Sequence, residues 1–292
     1  MNVYATLDQL KKALTDITST SYDVVLVDVL SRASRMIDAL TDREFYPTLA
    51  TRYLDSQGTD RLWLPWPLLS ITTLQISSDH GSTYGYTPVE NTDFFSSDGI
   101  RWGETPYQHL VMAVNSSSYD VFYAGQRAVK ITGIWGWRRN YSRAWVASGD
   151  TVNNVTSISA AGTSLTVNDA DGADGRGLTP RFSPGNLIKI ESEYLAVTAV
   201  NTTTNILTVV RGQNGTTAAA HVNGTAISTW LPEEIVIQAT LTQAGRWFKR
   251  GQQAYQDMGA AFEMGQFLYA QELDPDVRAV LFGAGLRRLT VG

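Results

Sequence analysis

Cysteine is absent from all 292 residues, which excludes disulfides, thiolate metal sites and cysteine nucleophiles. Histidine is scarce: His80, His109 and His221 stand in three separate regions without the spacing of a ligand set, and each reads as a loop or surface residue. No run approaches the ~18 consecutive apolar residues that cross a bilayer. The opening Met-Asn-Val-Tyr-Ala-Thr-Leu-Asp does not follow the basic-then-apolar order of a signal peptide, so the expectation is a soluble protein made in a cytoplasm. Charge of either sign is sparse, with 23 Lys and Arg against 28 Asp and Glu and a net charge of −5. That balance excludes a surface that grips nucleic acid along its whole length, though not a ring whose bore DNA passes. Walker, Gly-x-Gly-x-x-Gly, Gly-x-Ser-x-Gly and His-Glu-x-x-His signatures are missing, so neither an enzyme nor a cofactor is expected.

What is present changes character twice along the chain. From 148 to 228 the only basic residues are Arg176, Arg181, Lys189 and Arg211, while Thr, Asn, Ala, Gly and Val dominate. All eight Trp lie outside that stretch. Surface loops tolerate insertions at small entropic cost, so 148–228 reads as a module inserted into a discontinuous core of 1–147 and 229–292.

The core segments begin and end with helical patterns. Thr6-Leu7-Asp8-Gln9 fits a capping box ahead of Leu7, Leu10, Leu14 and Ile17. A second helix is expected from about Thr20–Asp23, with a stripe of Leu26, Leu30, Ala33, Ile37 and Leu40. A third starts at Pro232, with Glu233 and Glu234 at the positive end of the dipole. Its Ile237, Leu241, Ala244 and Phe248 are expected to pack on Leu30, Ala33, Ile37 and Leu40. Between these lie strand patterns: Thr51–Leu54 and Arg61–Leu64 read as a hairpin about Gly58, Pro65 and Pro67 interrupt a ladder, and Ile71–Ser77 and Ala128–Trp137 read as strands. In the insert, Leu165/Val167, Ile188/Ile190, Leu195/Val197 and Leu207/Val209 alternate at the strand period. The fold expected is α+β: a mainly helical core with a β-hairpin and strand region, plus an inserted small all-β barrel or sandwich.

Few side chains suggest chemistry. Asp169, Asp171 and Asp174, interleaved with glycines, are the nearest approach to a metal site, but the spacing fits no helix–loop–helix calcium loop and an acidic turn is the plainer reading. Trp63, Trp66, Trp102, Trp135 and Trp137 invite a stacking platform, yet their aliphatic neighbours favour core or interface. Arg138, Arg139 and Arg143 form the one basic cluster, read as a solvated face or as a contact to an interface or a DNA channel.

Five arrays, in order, resemble the head–tail connector (adaptor) proteins of long-tailed bacteriophages. They are Ala33–Asp38 with Arg43-Glu44-Phe45-Tyr46-Pro47, then Leu62–Ile71, then Val129–Trp137, then Leu231-Pro232-Glu233-Glu234-Ile235, and finally Gly245–Arg250 with Leu273–Val277. The resemblance covers roughly 1–147 and 229–292, with 148–228 as the departure. Separately, Ile188–Leu195 with Val209–His221 resembles a small β module found in many phage virion proteins. The resemblance implies a structural virion protein at the neck, in a homo-oligomeric ring, commonly of twelve copies. Such a ring sits below the portal protein, extends the DNA channel with only transient contact to passing DNA, and docks the next neck or tail-terminator protein. It also implies portal contact through the C-terminal segment, where Leu273, Asp274, Val277, Leu281, Phe282, Leu286, Arg287, Arg288 and Leu289 are the candidates. The alternative is a tail or baseplate component that binds carbohydrate through the β insert and the aromatic loops around 81–120.

Overall fold

The computed structural model describes residues 2–15, 17–114, 120–252, 258–261, 266–269 and 273–286. Its helices are α1 (Leu7–Ala13), α2 (Asp23–Thr41), α3 (Glu234–Gln252) and α4 (Pro275–Gly283). The first strands are β1 (Thr48–Ser56), β2 (Arg61–Ile76), β3 (Phe94–Ser97), β4 (Tyr107–Met112), β5 (Gly125–Trp135) and β6 (Trp145–Thr151). Next come β7 (Ser157–Ile158), β8 (Ser164–Thr166), β9 (Leu187–Ile190), β10 (Glu193–Asn201) and β11 (Ile206–Val210). The last are β12 (His221–Val222), β13 (Ala226–Trp230), β14 (Met258–Ala261) and β15 (Gln266–Tyr269).

The described residues hold more strand than helix, in antiparallel sheets with only four α-helices among them, which overturns the expected mainly helical core. The helical stripes are real, but the 44–145 region is a five-stranded antiparallel sheet with a core of its own. Its β3 and β4 are not legible in the sequence because they are short and neither Phe94-Phe95-Ser96-Ser97 nor Tyr107–Met112 alternates apolar and polar residues at the strand period.

The chain divides into two compact units, one of Met1–Arg43, Val146–Gln213 and Ala218–Gly292, the other of Glu44–Trp145 with Asn214–Thr217. In the first unit, the capping box forms as expected. The Thr6 hydroxyl accepts from the Gln9 amide at 3.3 Å, and the Gln9 side chain accepts from the Thr6 amide at 2.9 Å. Leu30 and Ala33 of α2 share a buried cluster with Leu7 and Leu10 of α1 and Ala244 and Phe248 of α3, with Ile237 and Leu241 at its edge. Pro232 lies outside the first turn of α3: the Val236 and Ile237 amides bond to the Glu233 carbonyl, so Glu233 occupies the boundary.

The insert supplies a six-stranded sheet in the order β6-β13-β9-β10-β11-β8, with β7 and β12 paired beside it. All eight residues of the alternating pairs, from Leu165 to Val209, are buried in one cluster that runs from Val152 to Ile227. α1 rests on this module: the Leu7 amide donates to Pro184 O at 3.0 Å and the Asp8 amide to Ser183 Oγ at 3.2 Å.

In the second unit the order is β1-β5-β2-β4-β3, so the expected hairpin between Thr51–Leu54 and Arg61–Leu64 does not form. β5 lies between the two strands and pairs with both, Thr132 facing Thr51 on one side and Thr73 on the other. Gly133 of β5 permits that close fit, since a Cβ there would stand 2.3 Å from Ser70 O. The prolines act as expected: the β2–β4 ladder lapses between Trp63 and Leu68.

Phe248 is 4% exposed within the helical cluster. Phe248→Ala should therefore lower unfolding free energy by about 3–5 kcal/mol in urea titrations. A loss below about 1 kcal/mol would show that the cluster does not hold the helices together.

Candidate functional site

The densest arrangement of ionisable groups lies in the β module, and sequence reasoning passed over it. The tight β9–β10 hairpin sets Ile190 opposite Glu193, leaving Glu191 and Ser192 as the turn. Glu193, at the start of β10, is fully buried. Its carboxylate accepts from Arg211 Nε at 2.8 Å and Nη2 at 2.7 Å, from the Gly212 amide at 2.9 Å, from the Ala219 amide at 3.0 Å and from His221 Nε2 at 2.8 Å. Burial alone would raise its pKa, but the bonds from Arg211, Ala219, Gly212 and His221 hold it at about 2. His221 Nδ1 lies 2.8 Å from Glu191 Oε2, so the buried imidazole bridges two carboxylates, and only its doubly protonated form donates to both. Glu191 takes φ 52° at the first position of this two-residue turn, in the left-handed region that such hairpin turns require. Arg211 also bonds to Ser159 O and Gly162 O at 2.6 and 2.9 Å. Every partner of Glu193 is a group of this module, so the arrangement is a brace that ties the 211–221 segment to the sheet.

A second brace explains the acidic loop. Asp150 accepts from the Asn168 and Asp169 amides at 3.0 and 2.8 Å, and from Arg181 Nη1 at 2.8 Å. Arg181 Nη1 also donates to Asp169 O at 2.8 Å, so the cation in this loop is the guanidinium. Asp174 receives Arg176 at 2.9 Å, Asp171 is exposed, and no metal-binding group of three side chains exists among the described residues.

The remaining candidates are spread out. Arg138 is half-buried while Arg139 and Arg143 are exposed, all on the turns that follow β5. α4 starts as its sequence indicates, with the Asp274 carboxylate accepting from Asp276 N at 2.9 Å and Pro275 at the first position. Val277, Leu281 and Leu286 are buried, Leu273, Asp274 and Phe282 half-buried, and Asp274 pairs with Arg246 of α3 at 3.2 Å. Arg287, Arg288 and Leu289 lie outside the described residues.

In the second unit the aromatics divide. Trp135 and Trp137 are buried, whereas Trp63, Trp66 and Trp102 are exposed, so the last three are not core residues. His109, read as a loop or surface residue, is instead buried between the rings of Trp63 at 4.8 Å and Trp102 at 6.1 Å, with Phe95 6.2 Å beyond Trp102. Burial and the Arg61 charge lower its pKa, opposed by Asp98. Its Nδ1 has no hydrogen-bond partner. No helix is long and apolar enough to cross a membrane among the described residues.

Comparison with family models, curated proteins and solved structures finds no match to this chain.

Breaking a buried ion pair costs about 3–5 kcal/mol because the partner is left charged and desolvated. Glu193→Gln should cost about that much in urea titrations at pH 7, while Asp171→Asn should change stability by less than about 0.5 kcal/mol. The Glu193 carboxylate is held below its ordinary 4.5, so its contribution is present above about pH 4.5 and is lost as pH falls toward about 2. Wild type and Glu193→Gln should therefore converge in stability across that window, and a gap as large at pH 2 as at pH 7 would contradict the assignment.

Proposed function

We propose that the chain is a structural protein of a phage particle, a head–tail connector whose copies form a ring below the portal and dock the next neck or tail protein. The observation that carries this reading is where the virion-module pattern falls. Both segments of that likeness, Ile188–Leu195 through Glu191 and Glu193 and Val209–His221 through Arg211, Gly212, Ala219 and His221, meet around one buried carboxylate. A chance match in two separate segments has no reason to converge on one group. A pattern that encodes a module's brace does.

A ring also suits the rest of the chain. Subunits closing by rotation need two complementary patches and no catalytic residue. A net charge of −5 disfavours retention of passing DNA, while Arg139 and Arg143 offer local contacts at an interface or channel wall. The mainly helical core expected from the residue pattern forms no part of this reading, because the 44–145 region is a sheet. For the portal, α4 offers its exposed Arg278 and Val280, followed by the 287–292 segment, since Val277 and Leu281 face the chain's own core.

Light scattering after size-exclusion chromatography tests the reading. The expected result is a closed ring, either alone or once portal is added, with deletion of 287–292 abolishing co-sedimentation with portal and leaving the subunit's thermal unfolding unchanged. A monomer under both conditions, or equal portal binding by the truncated chain, would overturn it.

A further inference from the structure

The middle of β2 carries a feature that neither the connector reading nor the brace uses. Between the pairs Trp63–His109 and Leu68–Tyr107, β2 advances five residues while β4 advances two, so three extra residues bulge from the strand at Leu64-Pro65-Trp66-Pro67. Bulges re-aim side chains, and here Trp66 lines the same groove as Trp63 although the strand period would set them on opposite faces. That groove, about 450 Å³, also takes in Tyr53, Asp55 and Pro65. A second groove of about 490 Å³ shares Trp63 and Asp55 and is lined by Gln57, Thr59, Asp60 and Arg61.

The rings are held in place without being covered. Arg52 lies between Trp66 at 4.5 Å and Trp135 at 4.7 Å, which fixes Trp66 against the sheet. Trp63 rests on His109 yet is 63% exposed, and Trp66 is 45% exposed. Asp55 uses one oxygen on the Arg127 amide at 2.8 Å, while the side chains of Gln57 and Asp60 are exposed and make no hydrogen bond among the described residues. Flat apolar faces beside uncommitted carboxylate and amide groups suit a ligand with apolar ring faces and hydroxyl edges. The two carboxylates work against a polyanion such as nucleic acid.

We infer that the paired grooves around Trp63 bind a neutral oligosaccharide of equatorially linked pyranoses, whose flat ring faces stack on Trp63 and Trp66 and whose hydroxyls donate to Asp55 and Asp60. The site is built from residues of β1 and β2 and the link between them, and saccharide titration reads a different property from ring size, so either proposal can fail without the other.

The probes are cellohexaose and chitohexaose, titrated calorimetrically and by tryptophan fluorescence into the full chain, with oligo-dT as the polyanion control. Saturable binding of at least one saccharide is expected, weakened at least tenfold in Trp63→Ala and several-fold in Asp60→Asn, and unchanged in Trp102→Ala. Each variant's thermal unfolding should match wild type, because these side chains are exposed. Binding of neither saccharide, undiminished binding by a folded Trp63→Ala variant, or tighter binding of oligo-dT would each overturn the inference.

Discussion

A carboxylate removed from water is the constraint around which the β module is arranged. An unpaired charge of this kind costs several kcal/mol, so Glu193 can stay buried and ionised only while donors surround it. Those donors come from Arg211, Gly212, Ala219 and His221, so the 211–221 segment has to pass over the β9–β10 hairpin. The same segment leads into β12 and β13, and β13 pairs with β9 to extend the sheet. The brace therefore fixes the path of a stretch with little regular structure, where apolar packing alone would leave the register open. Asp150 and Arg181 do the same for the 168–181 loop, whose end at Ser183 and Pro184 receives the first amides of α1.

What could be read from the residues was local. The Thr6–Gln9 capping box, the Asp274-Pro275 helix start and the α2 stripe each depend on groups within four positions; the first two are present, and the stripe is buried from Leu26 to Ile37 while Leu40 is half-buried. The eight alternating residues of the insert were legible for the same reason: a sheet with one buried face writes its period into each strand. The β1–β2 relation was not legible, because β5, some seventy residues later, separates two strands that a short Gly-containing link suggests should pair. The weight of strand is hidden for a related reason: β4 is placed by β2, some forty residues earlier, and the short β3 is held at the edge by β4.

The polar sites were hidden for a different reason. Glu191, Glu193 and His221 lie up to thirty positions apart, and nothing in their spacing announces a shared centre. The signal available is the likeness of Ile188–Leu195 with Val209–His221 to a small β module, which carries no mark of the interaction that joins the two segments. Trp63 and Trp66 show the converse case. Their aliphatic neighbours suggest core or interface, but Trp63 is exposed within the ladder and the bulge that follows it brings Trp66 out into the same groove. Period-two reasoning holds only while the register does.

Native-state hydrogen exchange at the Gly212 and Ala219 amides tests the brace most directly. Both donate to Glu193 from a segment that lies outside the ladder strands. If Glu193 holds that segment, the two amides should exchange only through the opening that also releases the core amides of β10, with matching free energies and matching sensitivity to denaturant. Exchange at the rate of an exposed loop, while β10 stays protected, would show that the module is held by its apolar core alone.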